Sequence, residues 1–359
     1  RTPDGAATDV APALNAAPGA PGWADAITVA PWAIYTYYGD TRIIETNYDA
    51  MAGWLQYMRE KATDGLYVMG RYGDWVPVEP SPKETLAGAY QYLSTRYLAD
   101  MAEAIGRADD AAELRRQATV IADLYNERYF NAADNQYKGG TQTANLVPLW
   151  FGITPADRRA AVVGNITQNI VAHDNHLTTG FIGTAYLMPV LSTFGQDDLA
   201  GELATQRSYP SWGYMVDAGA STIWERWNSD KYEELHSGMN SFNHYAFGTI
   251  GQWYYEYLVG IRPLEPGFKR ILIEPHPSGL QSAEGVFHSM YGPVRCAWSK
   301  DKSFTLNVSI PANTAAVIRT PEPCAGNLGP GDRKRVDSAG NTSFEVGAGV
   351  YTFTASPGS

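Results

Sequence analysis

Apolar residues recur at helical steps through the N-terminal part of the chain. Ile44, Tyr48, Met51, Leu55 and Met58 fall at steps of four and three and form one stripe. Asp40-Thr41 supplies a capping pair before that stripe, and Asp64-Gly65 a stop after it. A second stripe runs Leu86, Tyr90, Leu93, Tyr97, Met101, Ile105 and halts at Gly106. A third starts at Asp109 and carries Leu114, Ile121, Leu124 and Tyr125. The short Gly106 to Asp109 connection predicts an antiparallel helical hairpin. Further helices are expected over 25–38, 141–151, 155–172, 180–194, 197–206 and 243–259, about nine in all. Short and long connections alternate, as a ring of helical hairpins requires, and the long loops then gather on one face.

The pattern changes near Pro263-Leu264-Glu265-Pro266-Gly267. Short β-branched runs follow at 270–275, 286–294, 304–310, 315–319 and 349–353, punctuated by Gly and Pro. That spacing predicts an antiparallel β-sandwich. The expected division is therefore a helical domain over 1–262 and a β-domain over 263–359.

Composition narrows the function classes. The 359 residues are 44% hydrophobic and 18% charged with a net charge of −11. No basic stripe is present to neutralise phosphates, which argues against nucleic acid as a partner. No apolar run approaches the ~18–20 residues that cross a bilayer, so no membrane is expected. Arg1-Thr2-Pro3-Asp4-Gly5 lacks the basic-then-apolar pattern of a signal peptide. Few Lys and many Tyr, Trp and Gly point to an extracytoplasmic location. Cys296 and Cys324 read as two ordinary thiols, a disulfide being the alternative. His173 and His176 lack a third ligand at suitable spacing, so no metal is expected, and nothing in the sequence requires a cofactor.

Ten Trp and 23 Tyr are many for this length. Trp23, Trp75, Trp212 and Trp227 sit beside Gly, Pro or Asp, where a loop indole suits ligand stacking better than core packing. Four clusters pair an aromatic plane with a polar group: Pro21-Gly22-Trp23-Ala24-Asp25-Ala26, Tyr72-Gly73-Asp74-Trp75-Val76, Tyr209-Pro210-Ser211-Trp212-Gly213-Tyr214, and Ile223-Trp224-Glu225-Arg226-Trp227 with Ser241-Phe242-Asn243-His244. Indole faces cover apolar sugar faces, and carboxylates accept sugar hydroxyls. Glu225 is the best single candidate for chemistry, with Arg226 expected to face elsewhere; a structural ion pair is its alternative role. His244 either orients water or bonds a sugar hydroxyl, or else is a core histidine. Asp25 and Asp74 serve either a ligand or a helix N-terminus.

These clusters, with Thr178-Thr179-Gly180-Phe181-Ile182-Gly183-Thr184, occur in an order that closely resembles the bacterial and fungal α-L-rhamnosidases of glycoside hydrolase family 78. The resemblance implies an (α/α)6 barrel followed by a β-sandwich, and removal of terminal α-L-rhamnose with inversion. It implies that Glu225 is the general base and that Trp23, Trp75 and His244 contact the sugar; Asp25 and Trp227 lie beside them in the same motifs. The family's general acid lies in a run like Asp-Cys-Pro-x-Arg-x-Glu-Arg ahead of the segment matching Gly22-Trp23. No such run occurs here. The expectation is an incomplete barrel lacking its first helices, with a rhamnose-containing glycoside as substrate and a separate N-terminal chain carrying the acid as partner. The alternative is a carbohydrate-binding protein without catalysis, or an inactive fragment.

Overall fold

The structure, a computed structural model, describes residues 2–12, 19–235, 239–337 and 342–355. They form two compact units. The first comprises Arg1–Ala33, Thr41–Phe194 and Leu203–Phe247; the second comprises Ile34–Asp40, Gly195–Glu202 and Gly248–Ser359.

The helices are α1 (Ala26–Tyr38), α2 (Arg42–Glu60), α3 (Lys83–Ala104), α4 (Ala108–Tyr129), α5 (Gln142–Phe151), α6 (Arg159–Ala172), α7 (Phe181–Thr193), α8 (Asp197–Thr205), α9 (Trp212–Asp217) and α10 (Ile250–Trp253). The three sequence stripes lie in α2, α3 and α4, and α3 and α4 pack as the expected hairpin. Gly106, at φ +79°, adopts the left-handed turn that ends α3. Thr41 does precede α2, but its hydroxyl donates to the Glu45 carboxylate rather than accepting from the helix main chain.

The core of the first unit centres on α3. Leu86, Ala89, Tyr90 and Leu93 pack with Ile121, Tyr125, Val147, Phe151 and Ile182. Each such large apolar side chain contributes about 1.5–3 kcal/mol on burial. Gly88 lets α4 approach closely, since a Cβ there would stand 3.1 Å from the Tyr125 ring.

One sequence expectation is corrected in the helical part, and two elements are added. The segment 243–259 is not one helix: a 3-10 turn at Ala246–Thr249 leads into the four-residue α10 and a π-helical turn at Tyr254–Leu258. Helix α9 was not expected; the Ser211 hydroxyl accepts from Tyr214 N (2.9 Å) and caps it. A small hairpin, β1 (Phe130–Asn131) with β2 (Gln136–Tyr137), follows α4.

In the second unit two five-stranded sheets form. Their strands are β3 (Ile261–Pro263), β4 (Arg270–Ile273), β5 (Ser282–Ser289), β6 (Gly292–Ser299), β7 (Thr305–Ile310), β8 (Ala315–Arg319), β9 (Cys324–Gly326), β10 (Arg333–Val336), β11 (Thr342–Val346) and β12 (Gly349–Ala355). One sheet runs β10-β11-β8-β4-β3, the other β5-β6-β7-β12-β9. Phe344 of the first meets Phe353 of the second at 4.6 Å between ring centres. The pairing is antiparallel except for β4 with β8, which is parallel, so the expected purely antiparallel arrangement is corrected there. The run 286–294 is not one strand. It turns at Met290-Tyr291, with the Ser289 hydroxyl donating to Gly292 O and accepting from Tyr291 N. Cys296 and Cys324 are buried free thiols. The Cys296 thiol donates to Val259 O, and burial pushes its pKa up.

Candidate active site

Two main-chain hydrogen bonds bring the most suggestive segments side by side. Glu225 N donates to Ser241 O and His244 N to Ile223 O, each at 2.8 Å. The segment 223–225 thus lies along 241–244, and the two bonds fix the Glu225 and His244 main chains in register. The indoles beside Glu225 in sequence do not line it. Trp224 packs edge-on against Phe242, and Trp227 stacks on Phe247 at 4.0 Å with its N–H on Thr179 O. The indole that reaches the carboxylate is Trp75, whose Nε1 donates to Glu225 Oε1 at 3.2 Å. Arg226 turns away as expected, its Nε donating to Met239 O.

Glu225 is 5% exposed, and among the described residues Trp75 is its one side-chain donor. A buried carboxylate oxygen with no donor of its own seeks a proton-bearing partner such as a water or hydroxyl. His244 is half-buried between Phe181 (4.6 Å) and Tyr245 (5.2 Å). Its Nδ1 accepts from Ala246 N at 3.3 Å, which places the ring proton of the neutral form on Nε2. Trp23 and Trp75, both half-buried, are joined through Tyr72: Trp23 lies 4.7 Å from Tyr72, and Tyr72 lies 5.8 Å from Trp75 at 86°. An aromatic wall therefore runs from Trp23 to Glu225.

Two carboxylates from the motifs serve the scaffold. Asp74 is 3% exposed. Its Oδ2 accepts from Gly180 N (2.8 Å) and its Oδ1 from Ile182 N (2.8 Å) and Gly183 N (3.0 Å). The Thr143 hydroxyl also donates to it. Asp74 therefore caps α7, whose own N-cap residue Gly180 has no side chain to do so. A Cβ at position 180 would stand 2.2 Å from Trp75 O, so glycine there permits the close approach that links α7 to the Trp75 loop. Val76, next in that loop, holds φ +50°, a strained value for a β-branched residue.

Asp25 is fully buried. Its oxygens accept from Gly22 N (2.9 Å), Trp54 Nε1 (2.9 Å) and the Ser94 hydroxyl (2.6 Å). Burial pushes the pKa of both aspartates up, against these donors. Asp25 holds the Gly22-Trp23 turn. Trp227 is 2% exposed, with Trp212 edge-on at 5.3 Å. Trp212 is equally enclosed, its N–H on Phe247 O. Tyr72 and Phe181 complete the wall; both lay inside the quoted motifs but carry no polar signal of their own.

A helical unit bearing this aromatic-walled carboxylate is the kind of scaffold on which sugar hydrolases are built. The chain belongs to the bacterial α-L-rhamnosidases of family 78: residues 1–258 match the bacterial alpha-L-rhamnosidase 6 hairpin glycosidase domain, and 260–330 the bacterial alpha-L-rhamnosidase C-terminal domain. It is 39% identical over 99% of its length to an alpha-L-rhamnosidase of Streptomyces avermitilis, covering 35% of that protein. A crystal structure of the S. avermitilis alpha-L-rhamnosidase complexed with L-rhamnose superposes with a TM-score of 0.93 at 37% identity, over 99% of this chain and 35% of that one. The rhamnosidase structure from Dictyoglumus thermophilum gives 0.89 at 30% identity, over 98% and 41%. The chain thus spans about a third of the length of the curated relatives it matches.

Proposed function

We propose that this chain carries the sugar-holding and base-bearing part of an inverting exo-α-L-rhamnosidase. Residues 1–262 belong to an (α/α)6 barrel, incomplete within these residues, and 263–359 to a β-sandwich. The supporting observation is the Glu225 carboxylate: enclosed, met by the single Trp75 donor, and tied in register with His244. Glu225 takes a proton from water as its oxygen attacks the anomeric carbon. The glycosidic C–O bond breaks, and the leaving oxygen receives a proton from a general acid. Trp23 and Trp75 flank the deoxysugar, and His244 Nε2–H donates to a hydroxyl. Asp25 and Trp227 act behind them as positioning residues.

Neither Asp25 nor Asp74 is placed to supply the acid, because main-chain and side-chain donors already hold their oxygens. We assign the acid to a part outside these residues, and this favours a second reading for the chain by itself: rhamnose binding without turnover. The test uses the longest polypeptide carrying these residues, assayed on p-nitrophenyl α-L-rhamnopyranoside. Glu225→Gln is expected to lower turnover by at least ~10²–10⁴-fold while calorimetric rhamnose binding persists. Retained turnover rejects the base assignment; lost binding with turnover intact rejects the pocket.

A further inference from the structure

Asp9 stands ahead of the aromatic clusters in the chain, yet its buried carboxylate reaches both segments that carry the wall. Its Oδ1 accepts from Ala20 N at 2.7 Å, in the turn that leads to Trp23. Its Oδ2 accepts from Arg71 Nη1 at 3.0 Å, next to Tyr72. The base under Asp9 is fixed. Ala6 and Ala7 are buried, and a Cβ at Gly5 would stand 2.9 Å from Gly53 O, so this segment packs directly on α2. Ala7 O accepts from Gly19 N at 3.0 Å, and the Tyr67 hydroxyl donates to Gly19 O at 2.7 Å. The Trp23 turn closes on the same residue that Asp9 holds, because Trp23 N and Ala24 N both donate to Ala20 O. On the other arm the Arg71 guanidinium lies 5.9 Å from the centre of the Tyr72 ring, and Lys83 Nζ donates to Arg71 O at 2.9 Å. Trp23 and Tyr72 then meet at 4.7 Å.

We propose that Asp9 is a positioning residue for sugar binding: through Ala20 and Arg71 it links the Trp23 turn to the Tyr72–Trp75 loop and sets the spacing of their rings. This rests on the reading that Trp23 and Trp75 flank the deoxysugar. Two loops joined only by ring contacts can slide past one another, whereas a buried carboxylate bonded to both fixes their register. Asp25 does a different job, since it ties the same turn to Trp54 and Ser94 and does not reach the Tyr72 segment.

The two arms can be cut separately. Asp9→Asn keeps an oxygen for Ala20 N but loses the charge that holds Arg71. Arg71→Met cuts the same arm from the other end, at a half-exposed side chain that tolerates change, and Arg71→Lys keeps a cation there. The experiment uses the longest polypeptide carrying these residues, with L-rhamnose titrated by calorimetry and p-nitrophenyl α-L-rhamnopyranoside as substrate. Asp9→Asn and Arg71→Met are each expected to weaken rhamnose about fivefold or more, with KM rising by more than kcat falls. The double variant should bind no worse than the weaker single, because both substitutions break one link. Arg71→Lys should recover most of the affinity. Unchanged affinity in both single variants, fully additive losses, or no recovery with lysine overturns the proposal. Trp23→Ala separates this from the underlying reading: if it leaves rhamnose binding intact, the wall itself is rejected, whereas a loss with Trp23→Ala and none with Asp9→Asn or Arg71→Met rejects the role of Asp9 alone.

Discussion

Asp74 and Glu225 sit in the same unit, almost equally buried, yet are satisfied in opposite ways. Asp74 accepts from three main-chain N–H groups and a threonine hydroxyl. Glu225 accepts from one indole. Burial alone therefore does not mark a chemical carboxylate. A fully bonded acid is a structural tie, whereas an under-bonded one keeps lone pairs for a visitor. The difference follows from what surrounds each group: Asp74 faces a helix start with orphan donors, while Glu225 meets the Trp75 indole edge.

That contrast is broken most forcefully at Asp74. Asp74→Ala leaves three buried N–H groups without an acceptor and is expected to cost about 4 kcal/mol of stability by denaturant titration. A loss below about 1 kcal/mol would mean that water replaces the carboxylate and that the tie is dispensable.

Asp25→Asn tests the other tie, with an expected loss of about 2 kcal/mol because an amide N–H then faces Gly22 N–H. The loss depends on pH. Burial raises the folded pKa of Asp25 above its ordinary 3.8, so the folded state holds this proton more tightly than the unfolded chain. The stabilisation from that proton is complete below pH 3.8 and disappears as pH rises through the folded value. The gap between native chain and variant should therefore narrow from acid towards neutral pH; a widening gap contradicts the sign.

Trp75→Phe keeps the ring but removes the one donor to Glu225. A roughly tenfold fall in kcat/KM, equivalent to about 1.4 kcal/mol, is expected in the complete enzyme, with stability little changed. An unchanged rate would show that the indole N–H does not position the base. The smallest effect belongs to Glu225→Gln on stability: a shift within about 0.5 kcal/mol, since few bonds are lost. A large destabilisation would put Glu225 in the same category as Asp74.

Much of the helical unit was legible because α2, α3 and α4 carry long apolar stripes ended by Gly106 or Asp64-Gly65. The six-residue α9 is too short to show a period. The β5–β6 turn has Met290-Tyr291 at its two central positions, where Asn or Gly is usual. The motifs pointed to the right segments for the candidate site but assigned the wrong neighbours. Glu225 was expected between Trp224 and Trp227, whereas its partner is Trp75, 150 residues away. Asp74 was expected near the start of the next helix, yet it caps one more than 100 residues on. Such pairings are set by tertiary approach, which no local period encodes.

The paired bonds from Glu225 to Ser241 and from His244 to Ile223 act as a clasp at the neck of a loop. Beyond it Arg226 and Ser229 return to Met239 and Asn240, so the loop is tied again at its base. Changes of length between Asp230 and Glu234 would leave the main-chain register of Glu225 and His244 as these bonds set it.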